Sequence, residues 1–249
     1  MEKKKIYGLI GKKLGHSFSP GFFNKKFKDE NINAEYKIFP IPEISLFPTI
    51  INENPTLSGL NVTVPYKELV IPYLDSLSED VQEIKALNVI QFKKTDDGLK
   101  LIGYNSDVYG FKLSLLPFLK PDIKNALVLG TGGASKAVTY VLKKLGINIT
   151  LVSRTPHDKV LGYDNLTKEV MEFNLLIVNT TPLGMYPDIE RYPPIPYEFI
   201  TPDHVCYDLI YNPDETEFLK KAKEKGAAIK NGLEMLRLQA KKSWEIWNE

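Results

Sequence analysis

The sequence predicts an α/β protein with two domains. Short apolar runs of strand length alternate with amphipathic segments of helix length, a pattern typical of sheets covered by helices. In the second half of the chain the alternation is regular, which predicts a doubly wound parallel sheet. A length of 249 residues allows two modest domains, each with a core of its own.

Composition narrows the classes of protein that remain. Apolar residues make up 43% of the chain and charged residues 25%, with 32 basic side chains against 31 acidic ones. This balance gives no electrostatic indication of nucleic-acid binding. The sequence has no apolar run of about 18 residues and no signal-peptide pattern, so we expect a cytoplasmic protein.

Cysteine and histidine usage indicates neither a disulfide framework nor a metal site. The single cysteine, Cys206, lies in an apolar run and is interpreted as a buried core thiol rather than a nucleophile. The histidines are scattered at His16, His157 and His204 and form no ligand-like cluster. We therefore predict no metal.

The first domain opens with an apolar run at residues 6–10, typical of a buried strand. Ser19 and Pro20 then predict a helix with Ser19 as its N-cap and Pro20 as its first residue. A capping serine uses only a lone pair, so its O–H can still donate to an anion, and Ser17 offers a second donor. A carboxylate suits this hydroxyl pair, and simple backbone capping is the alternative.

Residues 60–64 alternate strictly between apolar and polar side chains. A period of two places Asn61 and Thr63 together on the face opposite the apolar residues. Pro65 is expected to end the strand, so Lys67 lies just beyond its carboxyl end, where open α/β sheets bind ligands. A surface asparagine and a solvated lysine are the alternative interpretation.

The remaining elements of the first domain follow from periodicity and turn signals. They are a strand at 34–41, helices at 44–51 and 78–87, and a hairpin of strands 89–94 and 99–104. A helix from 105 to 116 follows, with Asp107 in its first turn. Asp107 can cap this helix or complement its dipole, and that interpretation stays open beside a functional one.

The second domain begins with an apolar strand at 126–129 that runs into a glycine-rich turn and then a helix. The turn comprises Gly130, Thr131, Gly132, Gly133, Ala134 and Ser135. Backbone N–H groups in such a turn approach a phosphate closely, and the helix N-terminus favours its negative charge. The motif predicts a dinucleotide site. A structural corner is the alternative, since Ser135 stands where the usual motif has a third glycine.

The end of the next strand, at 148–152, indicates which dinucleotide binds. An NAD site usually has Asp or Glu here to accept from the ribose 2′-OH. This chain has Ser153, Arg154 and Thr155 instead. Arg154 can pair with a 2′-phosphate and stack on adenine, so NADP is preferred over NAD. An exposed arginine paired with a neighbouring helix is the alternative.

The rest of the second domain continues the alternation of strands and helices. Strands are predicted at 175–179, 205–209 and 227–229, and helices at 135–145, 165–173, 214–225 and 232–247. The last helix follows the final strand and can return to the first domain.

Several short stretches carry a resemblance to one known family. They lie at 16–20, 61–67, 86–88, 105–107, 130–135, 153–155, 179–185, 207–213 and 231–240. In these stretches, and over nearly its full length, the chain resembles shikimate dehydrogenase. No single stretch is decisive, but their order and spacing together are highly specific.

The resemblance implies reversible reduction of 3-dehydroshikimate to shikimate by NADPH, a step towards chorismate and the aromatic amino acids. It implies an N-terminal α/β substrate domain at 1–106 and a Rossmann-like, doubly wound NADP-binding domain at 107–234. A C-terminal helix at 235–249 would pack on the substrate domain. The expected partner is the small-molecule substrate, without nucleic acid or membrane, and the expected assembly is a monomer or homodimer.

The resemblance also implies roles by position. Ser17 and Ser19 would bind the substrate carboxylate. Lys67 and Asp107 would be the catalytic pair, because a protonated Lys67 can stabilise the alkoxide that forms on the ketone and donate its proton. Asp107 would orient and hydrogen-bond. The other substrate-binding residues would be Asn61, Thr63, Asn88, Tyr211 and Gln239. The cofactor-binding residues would be Gly130, Thr131, Gly132, Gly133, Ala134, Ser135, Ser153, Arg154, Thr155, Thr180, Leu209 and Gly232.

Some positions depart from the family pattern. Lys85 and Val89 flank residues 86–88 where a glycine and a threonine are usual, so we expect a slightly different local backbone. Ser106 replaces a threonine and keeps the hydroxyl. Asp158 stands where the family often has a second basic residue for the 2′-phosphate, which weakens the preference for NADP over NAD.

Two other functions are weighed against this one. A quinate-using paralogue is disfavoured by Ser19, because such relatives often have threonine there. A non-catalytic NADP-binding sensor is disfavoured by the presence of both Lys67 and Asp107.

Overall fold

The protein is described by a computed structural model that covers residues 3–15, 17–96, 98–157 and 159–249. His16, in the first of the matching stretches, and Asp158, in the cofactor prediction, lie outside the described residues. The chain divides into two compact units, Met1–Ser106 with Gln239–Glu249, and Asp107–Leu238. Each unit contains a six-stranded sheet, as the predicted α/β class requires.

The first unit is a mixed sheet with helices. Its strands are β1 (Lys5–Gly11), β2 (Ala34–Pro40), β3 (Leu57–Val62), β4 (Ser76–Leu77), β5 (Val89–Thr95) and β6 (Gly98–Tyr104). Its helices are α1 (Phe18–Asp29), α2 (Phe47–Glu53), α3 (Tyr66–Leu69) and α4 (Glu79–Ile84). The strand order is β2-β1-β3-β5-β6-β4. β1 pairs in parallel with β2 and β3, whereas β5 pairs antiparallel with β3 and β6.

The second unit is a doubly wound parallel sheet, as predicted. Its strands are β7 (Asn125–Leu129), β8 (Asn148–Val152), β9 (Val160–Leu161), β10 (Leu176–Asn179), β11 (Val205–Asp208) and β12 (Ala228–Lys230). The remaining helices of the chain are α5 (Ser106–Leu115), α6 (Gly133–Lys144), α7 (Lys168–Phe173), α8 (Glu217–Glu224) and α9 (Leu233–Asn248). The order β12-β11-β10-β7-β8-β9 reverses direction between β7 and β10. In such sheets ligands bind at this switch point, outside the carboxyl ends of the strands.

Strand β7 shows why a continuous apolar run forms the centre of this sheet. Ala126 and Val128 pack into the core on one face, and Leu127 and Leu129 pack into the core on the other. All four side chains are fully buried. Cys206 on β11 is also fully buried and unpaired, which confirms its interpretation as a core thiol.

The carboxyl end of α9 packs on the sheet of the first unit. Trp247 donates its indole N–H to the carbonyl of Ile90 at 3.1 Å. Gln91 donates to the carbonyl of Ile246 at 2.6 Å and so satisfies a group that the helix end leaves unpaired. A side chain at Gly59 would collide with the Trp247 ring at 2.4 Å, so only glycine allows this close approach.

Some predicted boundaries are wrong for identifiable reasons. α1 begins at Phe18 with Ser17 as its N-cap, so Ser19 lies inside the first turn. Pro20 is accommodated within this turn because first-turn N–H groups have no intrahelical partner. β3 ends at Val62, and the side chain of Val64 is 69% exposed instead of continuing the buried face.

The short strands β4 and β9 have only two residues each, too few to show a period of two in the sequence. No helix in the four described ranges is long and apolar enough to cross a membrane.

The turn after α4 keeps a glycine-type backbone although it has no glycine. Lys85 is the C-cap of α4, with φ of 60° in the left-handed region. This conformation costs a residue with a Cβ about 1–2 kcal/mol. A glycine at this position would fit the same backbone without that strain, and the expected difference from the family remains a prediction.

We predict that Lys85→Gly stabilises the protein by about 1 kcal/mol, because relief of the left-handed strain exceeds the added chain entropy. Urea unfolding of the variant and the wild type measures the difference. Asn31→Gly is the matched control, since Asn31 has φ of 54° and asparagine tolerates this region better. A gain at position 31 as large as at position 85 would contradict the explanation.

Candidate active site

Asn61 lies at the centre of a buried hydrogen-bond network in the first unit. Its Oδ1 accepts from the Tyr36 phenol at 2.8 Å. Its Nδ2 donates to the carbonyl of Asn88 at 3.2 Å and to Ser243 Oγ at 3.0 Å. Asn61 is only 5% exposed, so these partners replace the water that it loses on folding.

Asn88 joins the same network through its side chain. Its Oδ1 accepts from the backbone N–H of Ser106 at 2.7 Å, and its Nδ2 donates to Ser106 Oγ at 3.0 Å. Asn88 Nδ2 also approaches Gln239 Oε1 at 3.4 Å, while Ser106 Oγ lies 3.3 Å from the same oxygen. Three amides distant in sequence, on Asn61, Asn88 and Gln239, thus meet in one cluster.

The two predicted carboxylate-binding serines lie at the start of α1. Ser17 is half-buried, and its hydroxyl donates to the carbonyl of Leu14 at 2.9 Å. Ser19, also half-buried, hydrogen-bonds with the phenol of Tyr36. Burial raises the pKa of Tyr36 well above its usual value, with this bond opposing the rise. The phenol therefore stays neutral and keeps its proton for donation.

Thr63 and Lys67 follow β3 as the sequence predicts. The backbone N–H of Thr63 donates to the carbonyl of Ile10 at 2.9 Å. Lys67 is half-buried on α3, and its carbonyl accepts from the backbone N–H of Leu87 at 2.8 Å. This bond fixes the backbone of Lys67 beside the segment that carries Asn88.

In the second unit, the glycine-rich turn follows β7 directly. Gly130 has φ of 104°, and a Cβ there would lie 2.8 Å from Thr180 Oγ1. Thr180 itself binds the carbonyl of Leu129 through its backbone N–H at 2.9 Å and its hydroxyl at 2.7 Å. Gly130 and Thr180 therefore lie side by side where the sheet order reverses.

The start of α6 has the form that a phosphate requires. The helix begins at Gly133 with Gly132 as its N-cap, and Ser135 Oγ donates to the carbonyl of Gly132 at 2.6 Å. A Cβ at Gly132 or Gly133 would point into open space. The absence of side chains leaves the first N–H groups of the helix accessible, which fits an anionic group of a dinucleotide.

The residues after β8 are more exposed. Ser153 is half-buried, and its hydroxyl accepts from the backbone N–H of Thr155 at 3.2 Å. Arg154 and Thr155 are exposed. An exposed guanidinium at the carboxyl end of β8 can reach a 2′-phosphate without first being desolvated.

Leu209 and Gly232 form a close backbone contact. A Cβ at Gly232 would lie 2.0 Å from the carbonyl oxygen of Leu209. The N–H of Gly232 donates to the carbonyl of Ile210 at 2.9 Å. The structure therefore gives Gly232 a packing role, and its predicted contact with the cofactor remains a prediction.

Asp107 and Tyr211 are half-buried parts of the second unit. Asp107 lies in the first turn of α5. Its helix is fixed to Tyr207 of β11 by two contacts. The Ser114 hydroxyl lies 2.7 Å from the Tyr207 phenol, and the Phe111 ring packs edge to face on the Tyr207 ring. Burial raises the pKa of Tyr211, so its phenol also remains neutral.

Sequence reasoning missed Asp208, which is fully buried at the end of β11. Its carboxylate accepts from Asn179 Nδ2 at 3.1 Å, the N–H of Ile210 at 3.0 Å and Thr216 Oγ1 at 2.7 Å. Burial raises the pKa of Asp208 to about 6, although these three donors oppose the rise. The carboxylate ties together the end of β10, the loop after β11 and the N-cap of α8.

Tyr36 and Ser243 were also missed. Ser243 lies four residues after Gln239, so helical spacing on α9 could have placed the two on one face. Tyr36 is one of several aromatic residues in the first unit, and nothing in its local sequence distinguishes its hydroxyl.

Comparisons with known proteins show which sequences and folds the chain is similar to. A family model described as the shikimate dehydrogenase substrate binding domain matches residues 9–90. The shikimate dehydrogenase (NADP(+)) of Methanococcus aeolicus is 38% identical over 263 residues, which cover 98% of this chain and 92% of that protein.

Two solved structures extend the likeness to the fold. A shikimate dehydrogenase in complex with NADP+ is 34% identical, with a TM-score of 0.86 and coverage of 98% of this chain and 90% of that one. A shikimate 5-dehydrogenase from Thermus thermophilus, in complex with NADP(H) and shikimate, is 28% identical. Its TM-score is 0.84, with coverage of 98% of this chain and 93% of that one.

A mixed unit and a doubly wound unit, shared over nearly the whole chain with relatives that are NADP-dependent dehydrogenases, define an NADP-dependent dehydrogenase. Identity and coverage then specify the family. The chain belongs to the shikimate dehydrogenases.

We predict that Asp208 makes stability depend on pH. The native pKa of about 6 exceeds the ordinary value of 3.8, so the native state binds more protons between these values. The contribution of this group is therefore complete below the lower value and is lost as pH rises through the higher one. Between about pH 4.5 and about pH 7.5, the wild type should lose about 2 kcal/mol relative to Asp208→Asn.

Urea unfolding of both proteins at the two pH values checks this. Asn cannot ionise, and it keeps an oxygen to accept from Asn179 and Ile210, so the variant isolates the titration. A constant difference between the two proteins would show that Asp208 does not titrate in this range.

Proposed function

We propose that this chain catalyses the reversible, NADPH-dependent reduction of 3-dehydroshikimate to shikimate. The observation that carries the proposal is the meeting of Asn61, Asn88 and Gln239, all implied substrate readers, in one hydrogen-bonded cluster. Their positions in the chain are far apart, and a chance surface arrangement would not bury all three. The relatives named above support the reaction.

The cluster suits a ring that carries several hydroxyls. An amide has both donors and an acceptor, so fixed amides can recognise the direction of each hydroxyl. A site built this way rejects analogues that lack a hydroxyl, because buried polar groups are then left unpaired. Ser17 and Ser19 would turn their hydroxyl protons from the Leu14 carbonyl and the Tyr36 phenol to the substrate carboxylate. Thr63 would add a further hydroxyl contact near Asn61.

The second unit would hold NADPH. The open N-terminus of α6 fits the pyrophosphate, and Arg154 fits the 2′-phosphate. NADPH, when bound, supplies the hydride. Thr180, beside Gly130, would complete the wall of the same binding site.

Lys67 would act on the oxygen of the substrate carbonyl. Its ammonium group stabilises negative charge that develops there as hydride adds to carbon, and it then donates the proton that completes the alcohol. In the reverse reaction the amine takes that proton back. Asp107 would hydrogen-bond to the substrate. We further propose a cytoplasmic enzyme that acts as a monomer or homodimer.

The decisive experiment follows NADPH loss with 3-dehydroshikimate, repeated with NADH. Oxidation of shikimate and of quinate is measured with NADP+ and NAD+ as well. Faster quinate oxidation would replace the proposal with the quinate paralogue. NADP binding without turnover of either substrate would instead identify a sensor.

We predict that Lys67→Ala lowers kcat by about a hundredfold or more, because general acid–base catalysis contributes on this scale. NADP+ affinity, measured by titration, should remain unchanged, since the variant leaves the second unit intact. Lys100→Ala, at an exposed position on β6, is the matched control and should keep full activity. An unchanged rate in Lys67→Ala would remove this lysine from the mechanism.

We predict that Arg154→Ala raises the KM for NADPH about tenfold or more, because it removes a charge-assisted pair with the 2′-phosphate. The KM for NADH should change little, since NADH has no 2′-phosphate. Arg191→Ala, another exposed arginine of the second unit, is the control. An equal effect on both cofactors would mean that Arg154 does not read the phosphate.

A further inference from the structure

The amide of Asn61 has little freedom to turn. Both of its N–H groups are used inside the protein, on the Asn88 carbonyl and on Ser243 Oγ. Its oxygen accepts from the Tyr36 hydroxyl. A half-turn of the amide would set its NH₂ against the donating phenol and its oxygen against a carbonyl. The network therefore selects one orientation, in which only a lone pair of Oδ1 remains for a ligand.

The Tyr36 side chain is held firmly by its surroundings, and its hydroxyl acts as a hydrogen-bond donor to Asn61. It is 3% exposed, and its ring stacks on Phe23 with centroids 4.7 Å apart and an interplanar angle of 11°. The same phenol hydrogen-bonds with Ser19 and with Asn61. Tyr36 thus fixes the position of Ser19, proposed to bind the carboxylate, relative to Asn61, proposed to bind a substrate hydroxyl.

Ser243 holds the opposite side of the amide. It is fully buried, and its hydroxyl donates to the carbonyl of Gln239 at 2.9 Å, one helical turn earlier on α9. The oxygen of this hydroxyl accepts from Asn61 and lies 3.2 Å from Ser106 Oγ. Ser106 in turn contacts Asn88 and Gln239. Ser243 therefore connects Asn61 to the other two amides.

We infer that Tyr36 and Ser243 are positioning residues that fix the Asn61 amide with its oxygen available to accept from a substrate hydroxyl. The inference rests on the proposed function for the identity of the substrate. The orientation of the amide rests on the hydrogen bonds alone. Neither residue needs to touch the substrate for this role.

The kinetic test uses Ser243→Ala and Tyr36→Phe. Each removes one hydrogen bond to a buried amide, and the KM for shikimate should rise about tenfold. The KM for NADP+ should stay within about twofold, a split that loss of stability alone would not produce. Tyr104→Phe is the matched control, because the Tyr104 phenol binds Gln91 at 3.2 Å, outside the Asn61 network. It should leave both KM values unchanged.

A double-mutant comparison tests whether Ser243 acts through Asn61. In an Asn61→Ala background, Ser243→Ala should cause little further change in kcat/KM for shikimate, because the amide that it positions is gone. An equal loss with and without Asn61 would overturn the inference.

A second readout is independent of turnover. In ¹⁵N-labelled protein, the side-chain NH₂ signals of Asn61, assigned by their loss in Asn61→Ala, should shift in Ser243→Ala and not in Tyr104→Phe. Unchanged signals in Ser243→Ala would overturn the inference even in an active enzyme. Conversely, the wild type could fail to oxidise shikimate while the Asn61 signals still shift in Ser243→Ala. This result would refute the proposed function and leave the positioning role standing.

Discussion

Burying an amide away from water is costly unless each of its donors and acceptors finds a partner. The first unit buries three such groups together, on Asn61, Asn88 and Gln239. Their hydrogen bonds join β3, the turn before β5, and α9. The same hydrogen bonds therefore hold these elements together and fix the amides that the proposed function assigns to the substrate.

The second unit meets a different constraint. Strands such as β7 are buried on both faces, so no side chain along them can serve a ligand. Chemistry is confined to the loops at the carboxyl ends, where Gly130 and Thr180 meet. Asp208 stabilises that edge from within by gathering three donors from separate segments. The loop after β11, which carries the predicted cofactor residue Leu209, thus depends on a buried carboxyl group directly before it.

The sequence predicted the parts of the fold that local pattern controls. The run at 126–129 and the alternation around Asn61 predicted two strands, because the chemistry of each strand face leaves a direct trace in the order of residues. In β7 both faces are apolar, whereas in β3 Asn61 is polar between the apolar Leu60 and Val62. The N-cap of α1 was misplaced because Ser17 and Ser19 are equally good local candidates. The two-residue strands β4 and β9 form by pairing with β6 and β8, and this pairing leaves no pattern in their own short sequences.

The site divides in the same way. Asn61 and Lys67 could be proposed as site residues from the sequence, because their positions relative to a strand end follow from local pattern. The partners of Asn61 were not, since Ser243 lies 182 positions away and Tyr36 lies 25 positions away. Lys85 shows the converse: its left-handed backbone, with φ of 60°, is the kind that usually indicates glycine, and the side chain present gives no sign of it.

The burial of Cys206 has a practical consequence. It is the single cysteine of the chain, it lies fully buried on β11 next to the edge strand β12, and burial raises its thiol pKa far above the usual range. Thiolate, the reactive form, therefore arises only when this sheet opens. The rate of modification by a thiol reagent reports the opening of the second unit alone. Cys206 can therefore be used to follow the opening of the second unit separately from that of the first.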